Sequence, residues 1–202
     1  MGVPARRTGG ISVDIELTIN GETATVEAGP EQDLATVLRQ HGHIDVKCGC
    51  DGGTCGASKV FVDGEVRMAC GVAATEAEGS EIRTVASLGT QDDLHPVQQA
   101  FVDNFAVQCG FCIPGMIVQA TALLDENPDP TEREVREALD DNVCRCTGYQ
   151  KPVEAVLDAA GRMREEGVAA DGGRPVGGEP ADDTAMGKSA DAGGCCGGGC
   201  DE

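Results

Sequence analysis

Eleven cysteines, several set in C-x-C and C-x-x-C clusters, constrain this chain more than any other feature. Close clusters suit metal chelation better than the long-range stapling of a disulfide framework. Residues 1–10 carry Arg6 and Arg7 with no apolar stretch behind them, so no secretory signal is expected. No apolar run approaches the length of a membrane span. The expectation is a soluble, cytoplasmic chain. With four Phe, one Tyr and no Trp, it has little aromatic area for a core, and bound metal is the natural source of extra cohesion.

Within the C-terminal half, Cys109-Gly-Phe-Cys112 and Cys144-Arg-Cys146 are separated by 31 residues, room for two helices. Each pair then falls at a helix end, with the ends converging. Four thiolates brought together in this way suit an iron–sulfur cluster. Zinc competes on spacing alone, although Cys₄ zinc sites usually carry C-x₂-C on both sides and here the second pair is C-x-C.

The rest of the chain sorts into two halves by period. Residues 11–19 alternate strictly, apolar at every odd position, the signal of a half-buried strand. Asn20-Gly21 is a strong hairpin turn, and residues 22–27 return as a second strand. Residues 33–40 place Leu34, Val37 and Leu38 on one helical face, stopped at Gly42. A Gly/Cys loop over 48–56 precedes a hairpin, 59–62 and 65–69 around Asp63-Gly64, and a last strand over 81–85. This is an α+β order of the β-grasp kind. After about residue 88 the period becomes helical. A helix over 95–105 places Val97, Ala100, Phe101 and Phe105 on one side. Pro114 opens a second helix with the stripe Met116, Ile117, Ala120, Leu123 and Leu124. Thr131-Glu-Arg-Glu134 is a capping box leading to Val135, Ala138 and Leu139. Pro152 opens a fourth helix carrying Val153, Val156, Leu157, Ala160 and Met163. The expected organisation is a flexible tail (1–10), a ferredoxin-like domain (11–87), a four-helix domain (88–166) and a disordered Gly/Asp-rich tail (167–202).

Leu94-His-Pro-Val-Gln-Gln-Ala-Phe101, Gln108-Cys-Gly-Phe-Cys-Ile-Pro-Gly-Met116 and Asn142-Val-Cys-Arg-Cys-Thr-Gly-Tyr-Gln150 resemble the small iron–sulfur subunit of the molybdenum hydroxylases. That family includes xanthine dehydrogenase, aldehyde oxidoreductase and aerobic carbon monoxide dehydrogenase. The resemblance runs from about Val13 to Met163. It implies a plant-ferredoxin-like domain and an all-α four-helix domain, each holding one [2Fe–2S] cluster. It also implies that the helical-domain cluster lies nearest a molybdopterin cofactor held by a separate large subunit, with Gln108 and Cys146 approaching the pterin. The N-terminal cluster would pass electrons outward, usually to an FAD-binding medium subunit. The chain itself offers no acid, base or nucleophile for substrate chemistry, so an electron-transfer role is expected. A free-standing ferredoxin and a zinc-stabilised interaction module are the rivals.

The N-terminal cluster departs from the plant-type pattern C-x₄-C-x₂-C with a distant fourth cysteine. Cys50 and Cys55 fit, Cys70 fits the fourth, and Ser58 stands where the third thiolate belongs. Three readings follow: Cys48 takes the vacant place, Ser58 binds as an alkoxide, or the cluster is labile or absent. Ligand softness favours Cys48 and unchanged loop geometry favours Ser58. Gly49, Gly52, Gly53 and Gly56 let backbone N–H groups approach a cluster. Cys195, Cys196 and Cys200 form a short Cys-rich tract with no assigned role, and His41, His43 and His95 are read as helix-end residues rather than ligands.

Charge adds a separate inference. Thirty-five acidic residues face fifteen basic ones, four of them Lys, for a net charge of −20. Nucleic acid is excluded as a default partner, because binding would add repulsion instead of releasing counterions. Such self-repulsion is tolerable where the Debye length falls to about 3 Å, near 1 M salt. A halophilic, salt-rich cytoplasm is therefore expected.

Overall fold

A computed structural model describes residues 12–167; the expected N-terminal tail lies outside the described residues, and so does the C-terminal one, with Cys195, Cys196 and Cys200, apart from its first residue, Gly167. Strands β1 (Val13–Ile19) and β2 (Glu22–Ala28) form the predicted hairpin, paired from Val13↔Ala28 to Ile19↔Glu22. Asn20 and Gly21 both turn with positive φ, the geometry an Asn-Gly turn supplies at least cost. Ile15, Leu17 and Ile19 point into the core as the alternation requires. Val13 does not, and is 44% exposed. Strand β5 (Glu81–Arg83) covers β1 only at Thr18 and Ile19, so the start of β1 has a neighbour on one side alone.

Helix α1 (Leu34–Gln40) packs Leu34, Ala35, Val37 and Leu38 onto this sheet. Its N-cap is Asp33, whose carboxylate accepts from Thr36 N at 2.9 Å. The second hairpin, β3 (Lys59–Val62) and β4 (Glu65–Met68), completes a five-stranded sheet of order β2-β1-β5-β3-β4. β1 and β5 are parallel, and the other pairings are antiparallel. The segment expected as a strand to residue 85 leaves the sheet after Arg83 and turns into a 3₁₀ helix over Val85–Ser87, with Thr84 as its cap.

Four helices follow: α2 (Pro96–Asp103), α3 (Ile113–Glu126), α4 (Glu132–Leu139) and α5 (Gln150–Glu166). The Thr131/Glu134 capping box forms at α4. A second one forms at α2, where buried His95 accepts from Val97 N and Gln98 reaches back to His95 N. Phe105 corrects the sequence reading. Helix α2 ends at Asp103, Phe105 takes a left-handed φ of 53° and lies 84% exposed, and Ala106 turns into the core in its place.

The two halves are joined rather than tethered. Phe61 on β3 belongs to the helical core, and α3 packs on β3 and β4. Among the described residues no helix is long and apolar enough to cross a membrane.

Candidate metal centres

The helical half brings its four cysteines to one end of the bundle. Cys109 lies in the loop before α3, Cys112 is the N-cap of α3, and Cys144 and Cys146 lie in the connection from α4 to α5. This is the convergence of helix ends that the spacing predicts. The thiols meet in twos, Cys112 with Cys144 and Cys146 with Cys109. The inner pair is partly withdrawn from water, while Cys109 and Cys146 are exposed. Gln108 is exposed beside them.

Neighbouring groups set the state of each sulfur. Burial, with the hydrogen bond to Cys144, pushes the Cys112 thiol up to about 12. Burial works in the same direction on Cys144, yet the Thr147 hydroxyl (3.1 Å) and Thr147 N–H (3.4 Å), with Cys112, hold it below the usual thiol range. Tyr149 braces the loop: its hydroxyl accepts from Cys144 N and donates to Asn142 O, both at 2.8 Å. Asn142, Thr147 and Tyr149 carry no role in the sequence reading. Their signal was only their place among the cysteines, in residues 142–150.

In the N-terminal half, the glycine-rich loop presents Cys50 and Cys55 as another hydrogen-bonded pair. Backbone N–H groups of Gly52 and Thr54 bring the Cys50 thiol down to about 6, the Thr54 bond measuring 3.4 Å. Burial, then Cys50, pushes Cys55 up. Cys70 is paired with Ser58, whose hydroxyl lies 3.1 Å from the Cys70 sulfur. Cys48 is exposed at the loop's edge. His41 ends α1, as expected of a helix-end residue.

The donor sets fit [2Fe–2S] clusters. Soft sulfur ligands predominate, and N–H and O–H donors already point at sulfurs, as cluster thiolates require. Among the described residues no group of three or more His, Cys, Asp or Glu side chains is set to hold a single metal ion. The donors come in twos, as a two-iron cluster uses them.

The two donor sets are fastened together by polar groups that sequence reasoning missed. Val143 N donates to Cys55 O at 2.9 Å. Buried Asn142 donates to Gly56 O at 3.0 Å and accepts from buried Lys59 Nζ at 2.8 Å, while Lys59 also reaches Gln119 at 2.7 Å. Burial holds the Lys59 ammonium below the usual lysine range, with Asp141 opposing.

Comparison with known proteins gives the same division. A 2Fe-2S iron-sulfur cluster binding domain model matches residues 17–87, and a [2Fe-2S] binding domain model matches residues 84–157. The nicotine 6-hydroxylase small subunit of Paenarthrobacter nicotinovorans is 45% identical over 152 residues, covering 75% of this chain and 92% of that one. The xanthine dehydrogenase iron-sulfur-binding subunit of Escherichia coli O157:H7 is 45% identical over 149 residues, covering 73% of this chain and 94% of its own length. Among solved structures, quinoline 2-oxidoreductase from Pseudomonas putida 86 superposes with a TM-score of 0.73 at 38% identity, over 77% of this chain and 98% of the matched one.

Proposed function

The chain belongs to the iron–sulfur small subunits of the molybdenum hydroxylases, and from that premise we propose which residues hold its two clusters and how they are joined. Cys109, Cys112, Cys144 and Cys146 hold one [2Fe–2S] cluster. Cys50, Cys55 and Cys70 supply three ligands of the other. Bound there, the clusters carry electrons singly between the molybdopterin of a large subunit and an outer acceptor, an FAD-binding subunit in our reading. This chain's own task is to fix the ligands and hold the two sets in register. One peptide contact links them: Val143, next to Cys144, donates its N–H to the carbonyl of Cys55 itself. Covalent bonds and a single hydrogen bond therefore run from one ligand to the other.

One observation supports orientation toward the large subunit. Of the seven large apolar side chains left exposed among the described residues, five belong to the helical half, and four of these, Phe105, Val107, Phe111 and Val143, stand within four residues of a proposed ligand in sequence, with Val102 the fifth. Exposed apolar side chains on the segments that carry the exposed ligands, a collar along the chain, fit burial against a partner. Gln108 lies in the same collar, and with Cys146 it is the group we place toward the pterin. The net charge of −20 supports a salt-rich cytoplasm as the working environment.

The test is co-purification of the full chain with its molybdenum-containing partner. Phe105→Asp suits the left-handed φ at this position and removes only collar area. The variant should keep its red-brown absorbance and melting temperature and lose most of the partner. Recovery of the partner at the wild-type yield would refute the orientation.

A further inference from the structure

We propose that Ser58 is the fourth ligand of the N-terminal cluster, bound to iron through its oxygen as the partner of Cys70; the proposal rests on the cluster reading above. Among the described residues, three of the four donor pairs are two thiols set against each other: Cys50 with Cys55, Cys112 with Cys144, and Cys109 with Cys146. Of the two described thiols that remain, Cys48 and Cys70, it is Cys70 that stands in the same relation to a hydroxyl. Ser58 Oγ lies 3.1 Å from Cys70 Sγ, and Cys70 N donates to that oxygen at 3.3 Å.

The fold dictates this contact. The β3–β4 hairpin pairs Lys59 with Met68, and Ala69 N donates to Ser58 O at 3.0 Å, so residue 58 must face the turn that carries Cys70. Ser58 is 1% exposed, an environment a surface serine does not need. Cys48, the rival, is exposed and meets Cys55 and Cys70 only through longer-range charge interactions. Bringing it in would require the loop to refold around Gly49, where even a Cβ would stand 3.0 Å from the Phe111 ring and 3.3 Å from the Cys55 sulfur.

On binding, the Ser58 O–H bond breaks, its proton leaves to solvent and an iron–oxygen bond forms. No electron moves, and the alkoxide carries the same charge as the thiolate it replaces. Oxygen is the harder donor and favours ferric over ferrous iron. The Ser58/Cys70 iron should therefore resist reduction, and this cluster should sit at a lower potential than its all-thiolate version.

The experiment uses the full-length chain, with iron analysis and EPR-monitored redox titration, and the helical-domain cluster as internal reference. Wild type and Cys48→Ala should each hold about four irons, two per cluster, with identical N-terminal signals. In the Cys48→Ala background, Ser58→Ala should reduce this to about two irons, losing only the N-terminal signal. Ser58→Cys should keep about four irons and move the N-terminal potential upward while the reference stays fixed. Loss of the N-terminal cluster in Cys48→Ala alone, its survival in the double variant, or a Ser58→Cys chain with unchanged signal and potential would each overturn the proposal. A wild type holding two irons that Ser58→Cys restores to four refutes Ser58 ligation and leaves the domain reading standing. A Ser58→Cys chain still lacking the N-terminal cluster brings down that reading as well.

Discussion

Two glycine-to-alanine changes on helices should shift stability in opposite directions. Gly115 is in the first turn of α3, where a Cβ would fall 2.3 Å from Gly56 O, 2.8 Å from Asn142 Nδ2 and 3.3 Å from Ala57 Cα. Two of these neighbours are backbone and the third is a buried amide already bonded to Gly56 O, so no free side chain can rotate away. Helix propensity alone would favour Ala by about 1 kcal/mol. Against it stand about 1–3 kcal/mol of overpacking and about 1–3 kcal/mol for the Asn142–Gly56 bond once the surfaces part. The net loss centres near 3 kcal/mol, a fall in Tm of about 6–12 °C for a chain of this length. Gly161, inside α5, has nothing within 4 Å of its would-be Cβ. There Ala should gain about 0.5–1 kcal/mol and raise Tm by about 1–4 °C. Thermal melts of both variants in molar KCl, followed by far-UV CD, measure the pair. A Gly115→Ala chain melting at or above wild type would refute the close approach of α3 to the 56–57 loop.

The Lys59–Asn142 contact gives a second expectation. Asn142→Ala leaves the buried ammonium with Gln119 and Gly56 O with only the longer bond from Lys59 N, 3.3 Å, at about 1–3 kcal/mol for the weakened network, so urea unfolding should show a lower midpoint; an unchanged midpoint would mean the groups are not buried together. The charge reading predicts that melting temperature climbs steeply between dilute buffer and molar KCl, and indifference to salt would defeat the halophilic assignment.

Much of this fold was legible because burial leaves a period. Ile15, Leu17 and Ile19 alternate because one face of β1 is covered, and the stripe from Met116 to Leu124 repeats because one face of α3 is. Local hydrogen-bond chemistry was legible too, as at Asn20-Gly21 and the Thr131/Glu134 box. The failures fall where an element ends. Phe105 continues the α2 stripe in sequence, but the helix stops at Asp103 and a left-handed residue turns the ring outward. Period carries no information about such a stop. The cysteines were found from spacing, since chelation demands proximity that short loops enforce. The contacts between the halves were not, because Lys59 to Asn142 spans 83 residues and involves polar groups that look like surface residues until they are paired.

Those hidden contacts explain why geometry and stability are hard to separate here. All the interfacial polar groups but Gln119 lie within two residues of a proposed ligand: Gly56 follows Cys55, Lys59 follows Ser58, Val143 precedes Cys144, and Asn142 stands one residue further back. An apolar interface between the halves would tolerate sliding, since the hydrophobic effect is non-directional. Hydrogen bonds to Gly56 O and Cys55 O do not, because they weaken steeply with misalignment. The polar junction thus fixes one ligand loop against the other, and leaving any of its buried groups unpaired is costly. A substitution there should disturb folding and electron passage together, whereas one in the collar, such as Phe105→Asp, should disturb association alone.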